Sequence, residues 1–284
     1  MSKTKIGWIG LGLMGTPMSE RLINAGFPLT VYNRNKEKEE ALKAKGAKTA
    51  ATPSLLIEQS DVVIIMVTND AAIRSIFSGE EGLLSAETAG KIIINMSTVS
   101  PAISKEMNLL CKNQGHYYLD APVSGSTKPA EDGQLVIMVG GDEAVFDQVK
   151  EILSHLGKMT LFLGDTGSGN AAKLAVNTLL GFYMQGLAEA IVLAQKNHIK
   201  TEDLLAVINN SALGNPFTKL KGEAILNDNY APAFSLKNIL KDLNLAKDAG
   251  LDTPLGKTVL ETFSLAENDF GDEDLSAVFK QINR

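Results

Sequence analysis

Three glycines near the start of the chain constrain its fold more than any other feature. Gly10, Gly12 and Gly15 are spaced G-x-G-x-x-G, after the short apolar run 6–9 and before a helical pattern at 17–25. A strand, this spacing and a helix form the βαβ unit that directs helix-terminal N–H groups at a pyrophosphate. Tight turns also need glycine, but the placement predicts a dinucleotide site. Its predicted contacts are Gly10, Leu11, Gly12, Leu13, Met14 and Gly15.

The end of the second predicted strand, 29–32, indicates which dinucleotide binds. An acid roughly 20 residues past the glycines would accept hydrogen bonds from the ribose 2′-hydroxyl and favour NAD. Asn33 and Arg34 occupy that place, and the first carboxylate is Glu37. A guanidinium can form paired hydrogen bonds with a 2′-phosphate, which Asp would repel. We therefore predict NADP(H) bound by Asn33 and Arg34; the alternative is that Arg34 is a solvated loop cation.

Composition excludes several classes of function. The 284 residues carry a formal net charge of -6, and no cluster of Lys and Arg suggests a duplex nucleic acid as partner. Cys111 is the only cysteine, and neither a Cys/His metal spacing nor a signal-peptide pattern is evident. Apolar runs such as 62–67 are much shorter than the roughly 20 residues that cross a bilayer. We expect a cytoplasmic protein without metal, nucleic acid or membrane as partners.

Short β-branched runs alternate with helical patterns up to residue 164. This alternation predicts an α/β domain with a doubly wound, mainly parallel sheet, in which strands after Asp120 can run antiparallel. Capping side chains at Thr52, Asp70 and Ser100 predict helix starts. The predicted strands are 5–9, 29–32, 62–67, 92–95, 117–120, 135–139 and 160–163.

The pattern changes after Gly164. Residues 165–198 predict one long helix that is apolar on nearly all sides, which indicates burial between domains or between subunits. No convincing strand follows. The sequence thus predicts an NADP-binding Rossmann-type domain at 1–164 and an all-α substrate and dimerisation domain at 165–284. We expect a homodimer or homotetramer formed through the C-terminal helices.

Lys173 and Asn177 lie four positions apart in this long helix and therefore on one face. That face continues through Leu180, Met184 and Leu187, so an amine and an amide begin a stripe that is otherwise apolar. Partial desolvation lowers the pKa of an amine toward the range useful for proton transfer. The alternative is a lysine in a frayed first turn, with its ammonium in water.

Other candidate residues follow predicted strands, at the edge where ligands bind in such sheets. Met66 and Val67 end one strand, and Thr98 follows the next. The segment 120–126 includes Ser124 and offers N–H groups, small side chains and hydroxyls, which suit a carboxylate-bearing ligand. An ordinary turn has the same composition, so the segment alone leaves its role open.

Four separated motifs together resemble the β-hydroxyacid dehydrogenases. They are Gly10 to Gly15 with Met14, Asp120-Ala-Pro-Val-Ser-Gly125, Gly169-Asn-x-x-Lys173-x-x-x-Asn177 and Lys241-Asp242-Leu, in order along nearly the whole chain. Within that family, residues 125–133, Asn215-Pro216 and Phe234-x-Leu-Lys are similar to the glyoxylate and succinic semialdehyde reductase branch. Asn33-Arg34 agrees with the NADP preference of that branch.

The resemblance implies roles that the patterns alone leave open. It makes Lys173 the general acid/base, with Asn177 and Ser124 on the substrate, and it places Thr98 beside both the nicotinamide and the substrate carboxylate. The other implied contacts are Gly125, Phe234 and Asp242 with the substrate, and Met66, Val67 and Lys241 with the cofactor.

The expected reaction is NADPH-dependent reduction of a short carboxylate-bearing aldehyde to a hydroxyacid. One alternative is a 3-hydroxyisobutyrate-type dehydrogenase acting in the oxidative direction, which differs only in the pocket around Phe217, Phe234 and Leu236. Imine reductases share the architecture but carry another residue at the position of Lys173. A different class is a non-catalytic NADP-binding interaction module, since a fold does not determine function. The presence of Lys173, Asn177 and Ser124 together favours an enzyme.

Overall fold

A computed structural model describes residues 3–284, so residues 1 and 2 of the predicted first domain lie outside the described range. The chain divides into two compact units, of which one ends at Lys173 and the other spans Leu174–Arg284. The division falls inside the long helix, whereas the sequence analysis places the domain boundary before that helix, between residues 164 and 165.

The first unit is built on a nine-stranded sheet. The strand order is β3-β2-β1-β4-β5-β6-β8-β7, with β9 beside β8, and the pairs from β3 to β6 are parallel. The chain leaves β1 toward β2 on one side and later returns to β4 on the other, as in a doubly wound fold. The predicted fold class is confirmed. The strands are β1 (Ile6–Ile9), β2 (Leu29–Tyr32), β3 (Lys48–Thr49), β4 (Val62–Ile65), β5 (Ile92–Asn95), β6 (Tyr117–Asp120), β7 (Val123–Ser124), β8 (Leu135–Gly141) and β9 (Gly157–Phe162).

The strands after Asp120 mix both directions. β8 pairs antiparallel with β6 and β7, whereas β9 pairs parallel with β8. Sequence patterns missed β3 and β7, because a strand of two residues shows no alternation. They also began β9 three residues late, at Thr160 instead of Gly157, because Gly157 and Lys158 do not continue its apolar β-branched pattern.

Helix starts in this unit follow capping chemistry. Thr52 and Ser100 cap α3 and α5 as predicted, each with proline at the next position. The prediction that Asp70 caps α4 is wrong: Asn69 is the cap, and the Asp70 carboxylate accepts hydrogen bonds from Ser100 N and Oγ. The helices are α1 (Gly15–Asn24), α2 (Glu40–Lys43), α3 (Pro53–Glu58), α4 (Asp70–Phe77), α5 (Pro101–Asn113), α6 (Thr127–Asp132) and α7 (Glu143–Ser154).

Apolar clusters cover both faces of the parallel part of the sheet. In β4, Val62 and Ile64 belong to one cluster, and Val63 and Ile65 to the other. Because side chains alternate across a strand, a strand buried on both faces is apolar throughout. This burial leaves the carboxyl edge of the sheet as the part of the strands next to which polar residues collect.

The second unit is helical, as predicted, apart from one isolated β-bridge between Ser235 and Asp274. Its core includes Met184, Leu243 and Phe263. The helices are α8 (Ser168–Lys196), which begins in the first unit, α9 (Thr201–Asn209), α10 (Pro216–Leu226), α11 (Leu236–Asp248), α12 (Pro254–Phe270) and α13 (Val278–Ile282).

Helix α8 is less buried in the single chain than its sequence predicts. Val176, Leu179 and Leu193 are 44%, 54% and 65% exposed, because none of residues 3–284 covers their side of the helix. By length and composition α8 alone, among residues 3–284, could span a membrane, and half of its most apolar window is buried in the protein. Core helices of globular proteins often have the same properties.

Candidate active site

The glycine-rich loop between β1 and α1 has the geometry of a phosphate cradle. A Cβ on Gly10 would lie 2.1 Å from the Met66 carbonyl oxygen, and one on Gly15 would lie 2.0 Å from the Gly10 carbonyl oxygen. Gly10 also has φ of +100°, which favours glycine. A Cβ on Gly12 would meet no protein atom within 4 Å. Two glycines therefore permit close backbone packing, and the middle one borders open space that a ligand can occupy.

Backbone donors surround that open space. Within residues 3–284, the N–H groups of Gly12, Leu13 and Met14 donate to no protein acceptor. They precede the first turn of α1, where a helix carries partial positive charge. Three unpaired donors at a helix start suit a pyrophosphate. The loop therefore fits the dinucleotide that its sequence predicts.

The end of β2 separates a structural role from a binding role. Asn33 Oδ1 accepts the N–H of Leu11 at 3.0 Å, so this side chain braces the glycine loop. The buried Glu39 carboxylate accepts from Asn33 N at 2.8 Å and from Lys36 Nζ at 3.0 Å. Arg34 is exposed and makes no ion pair or side-chain hydrogen bond with any described residue. Of the two predicted ribose-phosphate ligands, Arg34 thus has its charged group available to a ligand.

Buried polar groups connect the strand ends at the carboxyl edge. Val67 N donates to Ser97 Oγ at 2.9 Å, Ser97 N donates to Asn95 Oδ1 at 3.0 Å, and Asn95 Nδ2 donates to Tyr118 Oη at 3.0 Å. The chain of bonds links the carboxyl ends of β4 and β5 to the Tyr118 side chain of β6. These bonds fix the segment after β5, in which Thr98 directly follows Ser97 and is partly exposed.

Lys173 lies in the second turn of α8. Only 9% of this residue is exposed, so the alternative of a frayed lysine that reaches water does not hold. The Asn170 side chain, in the preceding turn, accepts the N–H of Val99 at 3.0 Å. The structure therefore places the predicted acid/base lysine in the same unit as the glycine loop, with its helix tied next to Thr98.

The segment after β6 turns sharply at Gly125, where φ is +141° and a Cβ would lie 2.7 Å from Leu135 Cδ2. Ser124 is half-buried and Ser126 is exposed. Neither hydroxyl forms a hydrogen bond within the described chain, and Ser126 precedes α6 without capping it through its side chain. Two hydroxyls and the N–H groups of a turn are therefore available to a ligand.

In the second unit, Asp242 is only 2% exposed, although a charge beside a lysine in an amphipathic helix is usually solvated. Its Oδ2 accepts from Asn177 Nδ2 at 2.6 Å, and its Oδ1 lies 2.8 Å from Lys241 Nζ. The carboxylate therefore orients the Asn177 amide, with the nitrogen toward Asp242 and the oxygen away from it. Phe234 is half-buried and precedes α11, the helix that carries Lys241 and Asp242.

Known proteins match this chain along nearly its whole length. Residues 5–164 match the family model described as the NAD binding domain of 6-phosphogluconate dehydrogenase. Residues 167–282 match that of the NAD-binding domain of NADP-dependent 3-hydroxyisobutyrate dehydrogenase. Two Arabidopsis thaliana proteins are similar along almost the whole chain. Glyoxylate/succinic semialdehyde reductase 1 is 36% identical and is aligned over 98% of both sequences. Reductase 2, chloroplastic, is 35% identical over 99% of this chain and 80% of its own length. The chain belongs to the β-hydroxyacid dehydrogenase family.

A solved structure supports the same assignment. The Mycobacterium tuberculosis 3-hydroxyisobutyrate dehydrogenase, determined with L-serine, superposes with a TM-score of 0.89 at 30% identity, covering 99% of this chain and all of that one. This β-hydroxyacid dehydrogenase is an enzyme, an oxidoreductase whose cofactor is NADP(H). The predicted family, enzyme class and cofactor are confirmed.

Sequence reasoning missed two residues that organise the site of this dehydrogenase. Asn170 and Ser97 are both 0% exposed and both bond to backbone N–H groups at the carboxyl edge. A signal for Asn170 was present, since asparagine is a poor helix former and its presence early in a helix indicates a specific hydrogen-bonding role. The partner of that bond lies 71 positions away and could not be read from the pattern.

Proposed function

We propose that this β-hydroxyacid dehydrogenase reduces short carboxylate-bearing aldehydes, glyoxylate and succinic semialdehyde, to hydroxyacids with NADPH. The observation that carries the proposal is the buried Lys173, held in the same unit as the glycine cradle. The names of the two plant relatives support this substrate class.

The cofactor is assigned to the carboxyl edge of the sheet. The unpaired N–H groups of Gly12, Leu13 and Met14 would hold its pyrophosphate, and Arg34 would pair with the 2′-phosphate. We assign Met66, Val67, Thr98 and Lys241 to its nicotinamide half. When bound, NADPH supplies the hydride that adds to the carbonyl carbon.

Lys173 acts as the general acid. As the carbonyl oxygen gains negative charge, the ammonium stabilises that charge and donates a proton to the oxygen, which completes the alcohol. The amine then regains a proton from solvent. In the oxidative direction the neutral amine accepts the proton of the alcohol. Asn177, one helical turn farther on, holds the substrate or the lysine, and Asp242 fixes the Asn177 amide for this task.

The substrate carboxylate is assigned to the turn at Ser124 and Gly125 and to Thr98. The hydroxyls of Ser124 and Ser126 and the N–H groups of their turn have no partners among the described residues, which suits an anion. Phe234 would pack against the substrate and limit its size. A charged short acid is therefore expected to be a better substrate than an apolar ketone.

The second candidate is a 3-hydroxyisobutyrate-type dehydrogenase, which the likeness to the mycobacterial enzyme favours. Steady-state rates on glyoxylate, succinic semialdehyde and 3-hydroxyisobutyrate, each with both nicotinamide cofactors, distinguish the two. Brisk oxidation of 3-hydroxyisobutyrate beside no aldehyde reduction would decide for the second candidate.

The lysine role has its own test. Lys173→Ala should lower kcat by about 100-fold or more while NADPH binding stays nearly intact. Lys196→Ala, at the exposed far end of the same helix, is the matched control and should leave kcat unchanged. A Lys173→Ala enzyme of normal kcat would remove the catalytic assignment.

We also infer a homodimer or homotetramer formed through the C-terminal helices. The exposed side of α8 presents Val176, Leu179, Tyr183, Gly186 and Leu193, a largely apolar stripe on which Glu189 is charged. Contiguous exposed apolar surface of this kind marks protein interfaces. Light scattering should show an oligomer, and Leu179→Glu should dissociate it.

We also propose a cytoplasmic location. The proposal is based on Cys111, the only cysteine of the sequence, which is buried and forms no disulfide.

A further inference from the structure

The carboxylate of Asp120, at the end of β6, is completely buried and points at the start of α8. Its Oδ1 accepts the N–H of Gly167 at 2.7 Å, and its Oδ2 accepts the N–H of Asn170 at 2.8 Å. Burial raises the pKa of Asp120 above its usual range, and the two N–H bonds oppose that rise. These bonds use N–H groups that the start of a helix cannot pair internally.

Two glycines let α8 approach the sheet closely enough for these bonds. A Cβ on Gly169 would lie 2.3 Å from the Met138 carbonyl oxygen and 2.8 Å from the Asp120 carbonyl oxygen. A Cβ on Gly140, in β8, would lie 2.7 Å from Asp120 Oδ1. Backbone therefore packs directly on backbone here, so the helix start has little freedom to shift.

Asn170 ties the same turn in a second direction. Its Oδ1 accepts from Val99 N at 3.0 Å, and its Nδ2 donates to Ser104 Oγ at 3.2 Å. Val99 follows Thr98, and Ser104 lies in α5. The first turn of α8 is thus bonded both to β6 through Asp120 and to the connection between β5 and α5 through Asn170.

We propose that the side chains of Asp120 and Asn170 act as a helix-start clamp that positions Lys173 relative to Thr98. Lys173 follows Asn170 by less than one helical turn, so a shift or tilt of the clamped turn displaces the ammonium directly. Asp120 and Asn170 are positioning residues: they act through the backbone of α8 and touch no reacting atom. The role of the clamp in turnover rests on the proposed acid/base function of Lys173.

The clamp also reassigns part of the sequence motif that begins at Asp120. Both oxygens of that carboxylate are occupied by α8, whereas the serine hydroxyls that follow have no partner within residues 3–284. The motif therefore divides into a helix-anchoring residue at its start and ligand-binding groups at its end. The two parts should respond differently to mutation.

Graded variants test the clamp without removing the buried carboxylate. Asn170→Ala deletes both side-chain bonds, and Ser104→Ala deletes one of them while Val99 keeps its partner. We expect kcat to fall about 10- to 100-fold in Asn170→Ala and less in Ser104→Ala, since small misplacements of a catalytic group have effects of this size. The KM for NADPH should change less than twofold in both. Asp120→Asn should lower kcat further, provided that it folds.

Ala171→Gly is the matched control, because Ala171 is exposed and its replacement by glycine loosens the same turn of α8 without touching a clamp bond. An equal loss of kcat in this control would reduce the clamp to ordinary helix stability and overturn the proposal. So would a rise in the KM for NADPH as large as the fall in kcat, since that pattern indicates a disturbed cofactor site.

Hydrogen exchange separates the clamp from the function of Lys173. Amides at the start of α8 should exchange at least tenfold faster in Asn170→Ala than in the wild-type enzyme, whatever the role of the lysine. Unchanged exchange would overturn the clamp itself. Faster exchange with unchanged kcat, in a protein whose Lys173→Ala variant is inactive, would overturn positioning alone. An active Lys173→Ala variant would instead refute the proposed function.

Discussion

The buried ion pair between Lys221 and Asp274 allows a prediction of which substitution, at the lysine or at the aspartate, destabilises the protein more. Lys221 and Asp274 are 5% and 1% exposed, and Nζ lies 2.7 Å and 2.9 Å from the two carboxylate oxygens. The carboxylate also accepts from the N–H groups of Ala233, Phe234 and Ser276 and from Ser276 Oγ. The lysine has no comparable set of other partners among the described residues, so the two substitutions are not equivalent.

Removing one partner of a buried pair typically costs about 3–5 kcal/mol, because the other charge is left uncompensated. After Asp274→Asn the ammonium stays buried, and an amide NH₂ group replaces one acceptor among several N–H donors. After Lys221→Met four hydrogen bonds still stabilise the carboxylate, each worth roughly 1–3 kcal/mol to a charged acceptor. We expect Asp274→Asn to be the more destabilising by about 2 kcal/mol.

Urea denaturation followed by circular dichroism measures both variants. The midpoint should fall in the order wild type, Lys221→Met, Asp274→Asn, at similar slope. Phe234 donates to the same carboxylate, so Asp274→Asn should also raise the KM for the aldehyde. Equal losses, or a larger loss in Lys221→Met, would refute the reasoning that the backbone donors stabilise Asp274.

Three further predictions follow from the first unit. Arg34→Ala should raise the KM for NADPH about 10-fold or more and leave the KM for NADH nearly unchanged. Lys38→Ala, at a nearby exposed lysine, should change neither KM. Equal effects on both cofactors would contradict the assignment of Arg34 to the 2′-phosphate. Gly12→Ala should weaken NADPH binding at unchanged Tm, because its Cβ enters open space. Gly15→Ala should lower Tm by roughly 2–12 °C, because its Cβ clashes with the Gly10 carbonyl oxygen. A larger loss of Tm in Gly12→Ala than in Gly15→Ala, measured by calorimetry, would exclude this geometry. Burial lowers the pKa of His116, whose Nδ1 accepts the N–H of Lys91. As pH falls through about 6.5, the histidine therefore binds a proton in the unfolded chain before it does so in the folded protein. The free energy of unfolding should decrease below pH about 6.5, and it should decrease less steeply in His116→Gln. Parallel plots of this free energy against pH for the two proteins would assign the dependence to other groups.

Sequence patterns predicted what depends on neighbouring residues. The apolar β-branched runs of β1, β4 and β5 indicated a sheet buried on both faces, and the spacing of Gly10, Gly12 and Gly15 indicated the loop between a strand and a helix. Both are local consequences of backbone geometry and side-chain alternation. The family resemblance then supplied roles, such as that of Lys173, which no local pattern determines.

What the patterns could not supply depends on contacts between distant residues. A charge beside a lysine in an amphipathic helix is usually solvated, yet Asp242 is buried and accepts a hydrogen bond from Asn177, 65 positions earlier. The exposed stripe of α8 could not be predicted from the sequence either, since the pattern of a helix that is apolar on nearly all sides does not indicate which side stays exposed.

Asp120 shows most clearly how a motif can combine two functions. Residues 120–126 were interpreted as a candidate segment for binding a ligand's carboxylate, because N–H groups, small side chains and hydroxyls follow a strand, with an ordinary turn as the alternative. In the structure the Asp120 carboxylate accepts the N–H of Gly167, 47 positions later in the sequence, and so anchors the start of α8, the helix that carries Lys173. A buried charge at a strand end needs donors, and a helix start has donors without partners, so each satisfies the other. The carboxyl edge of this sheet thus anchors the lysine helix with the same segment that carries the serines proposed to bind the substrate.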